Sequence, residues 1–155
     1  MLNHTAAFLA SFPEEELGDI EQKGMLDGVE YSPLEIARRE HKTEVVAVLE
    51  RFLVNPAQTR HELRVKLGVL DELAAQVFAL TIFLCEDLLQ IKPISTTNPA
   101  AAAAIRFFTL VKRLPMELQM ILCHRVVGSA KEAFLSRDSD AAFNSLASVL
   151  LCQPQ

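Results

Sequence analysis

The side chains that could do chemistry are few and scattered. Histidines stand at positions 4, 41, 61 and 124, and cysteines at 85, 123 and 152. A metal site needs several such ligands converging, commonly at i and i+3 or i+4 on one helix. No Cys-x-x-Cys or His-Glu-x-x-His occurs. The one close pair, Cys123-His124, is adjacent, so on a helix its side chains diverge by about 100°. A Cys–His nucleophile pair would need a partner brought from elsewhere in the fold. Cys123 lies in an apolar helical run and reads as inert core. Glu14, Glu15 and Glu16 follow Pro13, where acids suit the positive end of a helix dipole, and they read as helix-start residues. Gly-rich phosphate loops are absent. The expectation is no metal, no cofactor and no enzymatic activity.

Half of the residues are hydrophobic and 23% are charged, which argues against disorder. A net charge of −5 disfavours nucleic acid, because neutralising phosphates takes a basic surface. Two local cation groups, Arg38, Arg39 and Lys42, and Arg60, Arg64 and Lys66, read as solvated helix faces. Three cysteines in apolar surroundings suit buried, reduced thiols of an intracellular protein, cytoplasmic or nuclear. No Lys or Arg precedes the apolar residues 6–12, so no secretory signal is expected.

The scaffold that must position these side chains centres on residues 69–91. Residues 73–85 carry no charge, and only Gln76 and Thr81 interrupt their apolar character. A helix that is apolar most of the way round is buried on several sides. The run is bracketed by Asp71, Glu72, Glu86 and Asp87, and is shorter than the roughly 20 apolar residues of a bilayer span. It is expected to be the central helix of a bundle, with no membrane involved.

Other helices are expected around it. A short one covers residues 4–11, and another covers 13–23 with Gly24 as its stop. Ser32 caps a helix whose first residue is Pro33, and Thr43 caps a second over residues 44–53. Asn55-Pro56 opens a helix over 56–67 that stops at Gly68. Asn98-Pro99 opens another through five alanines, residues 100–104, to about Leu114. Pro115 opens the next, and Gly128 follows it. Residues 129–135 either continue that helix or form a short one. Asp138 or Ser139 caps the last, over 140–151.

Asp27-Gly28, then Ser32-Pro33-Leu34-Glu35-Ile36-Ala37, then Glu44-Val45-Val46 and Leu49, resemble an ankyrin repeat, whose helix pair begins Thr-Pro-Leu-His. Glu35 stands where that family has His, and His41-Lys42 where it has Gly-His. Residues 17–25 resemble the tail of a preceding repeat with a shortened hairpin. A single repeat does not bury its own face. The resemblance therefore implies that residues 28–54 are the last, degenerate repeat of a stack, and that the C-terminal half caps it. More widely, the run from Asn55 to Gly68, the apolar helix, the segment from Leu114 to Ser129 and the Ala142-Phe143 ending are similar to the C-terminal portion of fungal ankyrin-repeat proteins.

The fold this implies is all-α. Degenerate ankyrin-type helix pairs (residues 1–55) continue into a helical bundle (56–155) around a buried central helix, in one domain. The implied function is non-catalytic binding of another protein. Asp27, Gly28, Glu30 and Tyr31 would contribute from the hairpin, and Arg38 and Arg39 from the first ankyrin helix. A second resemblance points elsewhere. Leu114, Pro115, Glu117, Leu118, Ile121 and Leu122 resemble the start of an F-box, which docks onto the adaptor of cullin-type ubiquitin ligases. Val126 stands where that motif has Leu. Ankyrin repeats followed by such a segment resemble the poxvirus ankyrin proteins. The same residues also suit any helix entrance with Pro first and an acid in the first turn. Finally, a mean hydropathy of +0.21 raises self-association as a homodimer.

Overall fold

The computed structural model describes residues 2–11, 23–26, 28–91 and 98–152. The fold is all-α: among the described residues there are eight helices and one two-stranded ribbon. The chain divides into two compact units, Met1–Leu67 and Gly68–Gln155.

The first unit contains α1 (Leu2–Ser11), the ribbon β1 (Gly24–Leu26) and β2 (Val29–Tyr31), then α2 (Pro33–Arg39), α3 (Thr43–Val54) and α4 (Pro56–Lys66). The ribbon is antiparallel, with Leu26 opposite Val29 and Gly24 opposite Tyr31. Its tight turn puts Gly28 at φ +79°, a conformation glycine adopts without steric cost. Gly24, expected to stop a helix, instead opens β1. The helix expected over 13–23 lies outside the described residues except at Lys23, which is not helical.

The entrance to α2 is built as its sequence predicts, and more strongly. Ser32 Oγ accepts from the Glu35 N–H (3.3 Å), and Glu35 Oε2 accepts from the Ser32 N–H (2.7 Å). That reciprocal box satisfies two donors left open at a helix start. Thr43 does not cap α3. Lys42 holds that position without a side-chain hydrogen bond, and Thr43 is already helical. Asn55 caps α4 through the Gln58 N–H (3.1 Å).

Leu9, Val48, Leu49, Phe52 and Leu63 form the centre of this unit's core, with Leu34, Val45, Val46 and Leu67 packed against it. Helix α4, expected in the C-terminal bundle, thus packs with α1 and α3 in this unit. Arg64 Nε donates to the Ala10 carbonyl (2.8 Å), filling an acceptor left open at the end of α1. Arg60 is buried over the Phe52 ring, 5.9 Å from its centroid. Two of the three residues in that cation group are therefore structural, not a solvated face.

The second unit contains α5 (Val69–Cys85), α6 (Pro99–Val111), α7 (Met116–Val126) and α8 (Ser136–Leu151). Helix α5 is its centre, packing against α8, α7 and α6. Ala75 and Ala79 receive Ala142, Phe143 and Leu146 of α8 together with Phe134. The small alanines let α8 approach closely, and Phe78 stacks on Phe134 at 4.9 Å. Thr81, which interrupts the apolar run, returns its hydroxyl to the Val77 carbonyl (2.9 Å) and so costs the core little.

Several boundaries differ from expectation. Helix α5 ends at Cys85, not near residue 91. Asp87 turns to φ +56° and the Leu88 N–H bonds back to the Phe83 carbonyl (2.9 Å), the geometry of a helix stop built on a left-handed residue. The loop expected at 94–97 lies outside the described residues. Residues 129–135 contain no helix, and α8 begins at Ser136 rather than after Asp138. Of the apolar residues of α6, only Val111 is fully buried, and Leu110 is 66% exposed. Cys123 is buried as expected, whereas Cys85 and Cys152 are exposed.

Candidate protein-binding surfaces

Helix α7 (Met116–Val126) leaves an apolar stripe at its surface. A helix on the surface of a bundle ordinarily sends its aliphatic stripe inward and its polar face to water. Here the fully buried side chains are Gln119, Cys123 and His124. Leu118, Leu122 and Val126, spaced at i, i+4 and i+8, are 47%, 38% and 53% exposed.

The inward polar groups explain why this arrangement is tolerated. Gln119 Nε2 donates to the Leu114 carbonyl (2.9 Å), closing the turn that precedes the helix. The His124 ring stacks on Phe134 (centroids 4.2 Å apart), with Nε2 3.2 Å from the Ala133 carbonyl oxygen. A carbonyl only accepts, so the proton sits on Nε2. Burial pushes the His124 pKa down; the Ala133 carbonyl and Asp71 oppose that shift, while Lys131 and Arg125 add to it. The Cys123 thiol is pushed up by burial, offset in part by Thr81, whose hydroxyl lies 3.8 Å away. A thiol held protonated is a poor nucleophile. Beside this core, Asp71 accepts from the Ser129 hydroxyl (3.3 Å) and pairs with Lys131, tying the 129–135 segment to α5.

The F-box-like residues are therefore split by the fold. Pro115, Glu117, Leu118 and Leu122 face solvent, and Leu114 and Ile121 are half-buried. Met116 (57% exposed) and Val126 extend the same apolar surface. Sequence reasoning singled out Leu118 and Leu122 but not the side of the helix they would take. The apolar residues of α7 occupy more than one face, and periodicity alone does not say which is covered.

The residues expected to bind a partner from the hairpin and the first helix after it lie in the other unit. Gly28 and Glu30 are exposed on the ribbon, and Asp27 lies outside the described residues. Tyr31 is half-buried at the end of β2 rather than at the hairpin tip, and the Arg39 guanidinium sits 5.4 Å from its ring centroid. Arg38 bonds Glu50 across α2 and α3 at 2.6 Å. Next to it is a shallow depression of about 280 Å³ lined by Arg38, His41, Lys42, Thr43, Val46 and Glu50.

No protein-family model, curated protein or solved structure matches this chain. Among the described residues, no three His, Cys, Asp or Glu side chains converge as a metal site would require. No single described helix is both long and apolar enough to cross a membrane.

Proposed function

We propose that this protein is a non-catalytic protein-binding module, and that its principal contact surface is the outer face of α7. The observation that carries the reading is the apolar stripe on the outer face of α7. Three aliphatic side chains at helical spacing stay about half exposed while Gln119, Cys123 and His124 occupy the core. Exposed apolar surface of that regularity is characteristic of a site that another protein covers. An affinity-captured partner should bind the purified chain in calorimetry, and Leu118→Glu with Leu122→Glu should abolish that binding while leaving the circular dichroism spectrum unchanged. Retained binding by the double variant would overturn the assignment of the surface.

The ankyrin-type reading of the first unit is a proposal of the same kind. It is supported by the ribbon followed by a paired α2 and α3, and by His41, which takes φ +52° where the repeat pattern has glycine. On that reading the ribbon and the depression beside Arg38 form a secondary contact surface.

A specific observation favours a second reading, an F-box-like adaptor. Pro115 and Leu118, which such docking would require at the surface, are both exposed. Capture of the cullin adaptor by the wild-type chain, and its loss in Pro115→Ala, would establish that role. Absence of capture by wild type would remove it.

A further inference from the structure

The segment that joins α7 to α8 is held down by side chains, not by its own backbone. Residues 129–135 contain no helix, and among the described residues 130–134 make no backbone–backbone hydrogen bond. Gly128, at φ +81°, turns the chain out of α7 and into this segment. Its outer side is open to solvent, and Ser129 is its one fully buried residue. Two attachments fix it. At one end Asp71 accepts from the Ser129 hydroxyl (3.3 Å) and pairs with Lys131, while Arg125 donates to the Ser129 carbonyl (3.0 Å) and meets Glu132 (3.6 Å). At the other, Phe134 stacks on both the His124 ring and Phe78, and the Ala133 carbonyl accepts from His124 Nε2. The second attachment is thus built on an ionisable side chain that is 1% exposed.

We propose that residues 129–135 form an acid-released strap: a second proton on His124, taken from solvent, frees the segment while α5, α7 and α8 stay packed. The charged groups acting on the ring are Asp71 on α5, Arg125 on α7 and Lys131 in the strap. Helix α8 turns Ala142, Phe143 and Leu146 toward this core. Asp71 is already paired with Lys131, and Arg125 with Glu132, so an imidazolium finds no carboxylate left over among them. Its new proton, on Nδ1, meets no acceptor in the core. A buried charge without a partner is costly, and water relieves that cost once the ring is uncovered. The cover is the strap, which has few backbone bonds to break, whereas the helices beside it keep theirs. Because the closed strap holds the neutral ring, release proceeds as pH falls below about 6.5 and reverses as pH is raised. It uncovers the face of Phe78 on which Phe134 stacks.

The test is an NMR titration of the full chain from about pH 7.5 to about pH 4.5, a range that spans the ordinary imidazole value. Imidazole carbon shifts report proton uptake by His124, and backbone order parameters report the strap. Order parameters over residues 130–135 should fall from about 0.85 to below about 0.6, with the same midpoint as the His124 ring. Those of α5, α7 and α8 should hold their values. His124→Phe, which keeps a ring beneath Phe134, should leave the strap ordered at every pH, and that outcome separates His124 from the histidines at 4, 41 and 61. The wild-type titration decides by itself if the variant does not fold. A strap that stays ordered while the ring titrates, a different midpoint for the two, or a ring still neutral at the acid end of a folded chain would overturn the proposal. So would loss of the strap and the helices in one step, or an unchanged transition in folded His124→Phe.

Discussion

His124 shows how one buried side chain ties stability to pH. Its ring is 1% exposed, sandwiched on Phe134, and bonded through Nε2 to the Ala133 carbonyl. Its Nδ1 meets no hydrogen-bonding partner in the core, so the neutral ring is the form the fold accommodates. With the folded pKa pushed below the ordinary 6.5, the unfolded chain binds more protons than the folded one between the two values. The contribution is fully present above about pH 6.5 and is lost as pH falls from there toward the lowered folded value. Urea unfolding followed across this window should show stability declining with acid, and His124→Phe, which keeps the ring stack without the titration, should flatten the decline. An identical slope in the variant would place the acid sensitivity elsewhere. The neighbouring thiol behaves in the opposite sense: Cys123 is buried and its pKa raised, while Cys85 and Cys152 are exposed. Iodoacetamide should label Cys85 and Cys152 in the native protein and reach Cys123 only in urea, as read by peptide mass spectrometry. Early labelling of Cys123 would contradict its place in the core.

At the scale of elements, the caps carry testable energy. Ser32 both accepts from Glu35 N–H and has its own N–H satisfied by Glu35, whose carboxyl is held below its ordinary pKa chiefly by that Ser32 backbone bond. Ser32→Ala should cost about 1 kcal/mol in chemical denaturation. A change near zero would mean that the box adds nothing to α2. Caps of this type were legible because they are local. Ser32-Pro33, Asn55-Pro56 and Asn98-Pro99 each name a capping side chain and a first helical residue, and all three open helices. What sequence missed depends on non-local groups or on backbone choices that several residue types permit. Asp87 enters the left-handed region to stop α5 early, where aspartate is tolerated without being demanded. Helix α8 starts at Ser136 with Leu135 at the cap and no side-chain bond, so no capping residue announces it. The central role of α5 was readable from its uncharged run. The outward turn of Leu118 and Leu122 was not, because it depends on Gln119 and His124 finding carbonyl partners at Leu114 and Ala133.

Across the whole molecule, both units leave apolar residues in water in proportion to their size. Among the described residues, ten of the sixteen exposed large hydrophobics fall within Gly68–Gln155, including Leu110, Met116, Leu118, Leu122 and Val126. That unit also has a well-made core. Phe78 is 7% exposed and faces Phe134 at 4.9 Å and Phe143 at 6.3 Å, and Phe83 meets Phe143 at 5.9 Å. Similar side chains therefore occupy two kinds of surface, one committed to folding and one left over from it, and substitution separates them. Phe78→Ala removes a buried ring and should cost about 3–5 kcal/mol, accelerating amide exchange in α5 and α8 together. Leu118→Glu with Leu122→Glu removes aliphatic groups that are already 47% and 38% exposed and should cost about 2 kcal/mol at most, clearly less than the Phe78 change. The same pair should lower binding of an apolar fluorescent dye to the native protein, because the surface it recognises has gained two charges. If the leucine pair proved as damaging as Phe78→Ala, the outer face of α7 would belong to the core, and it would no longer be available to a partner.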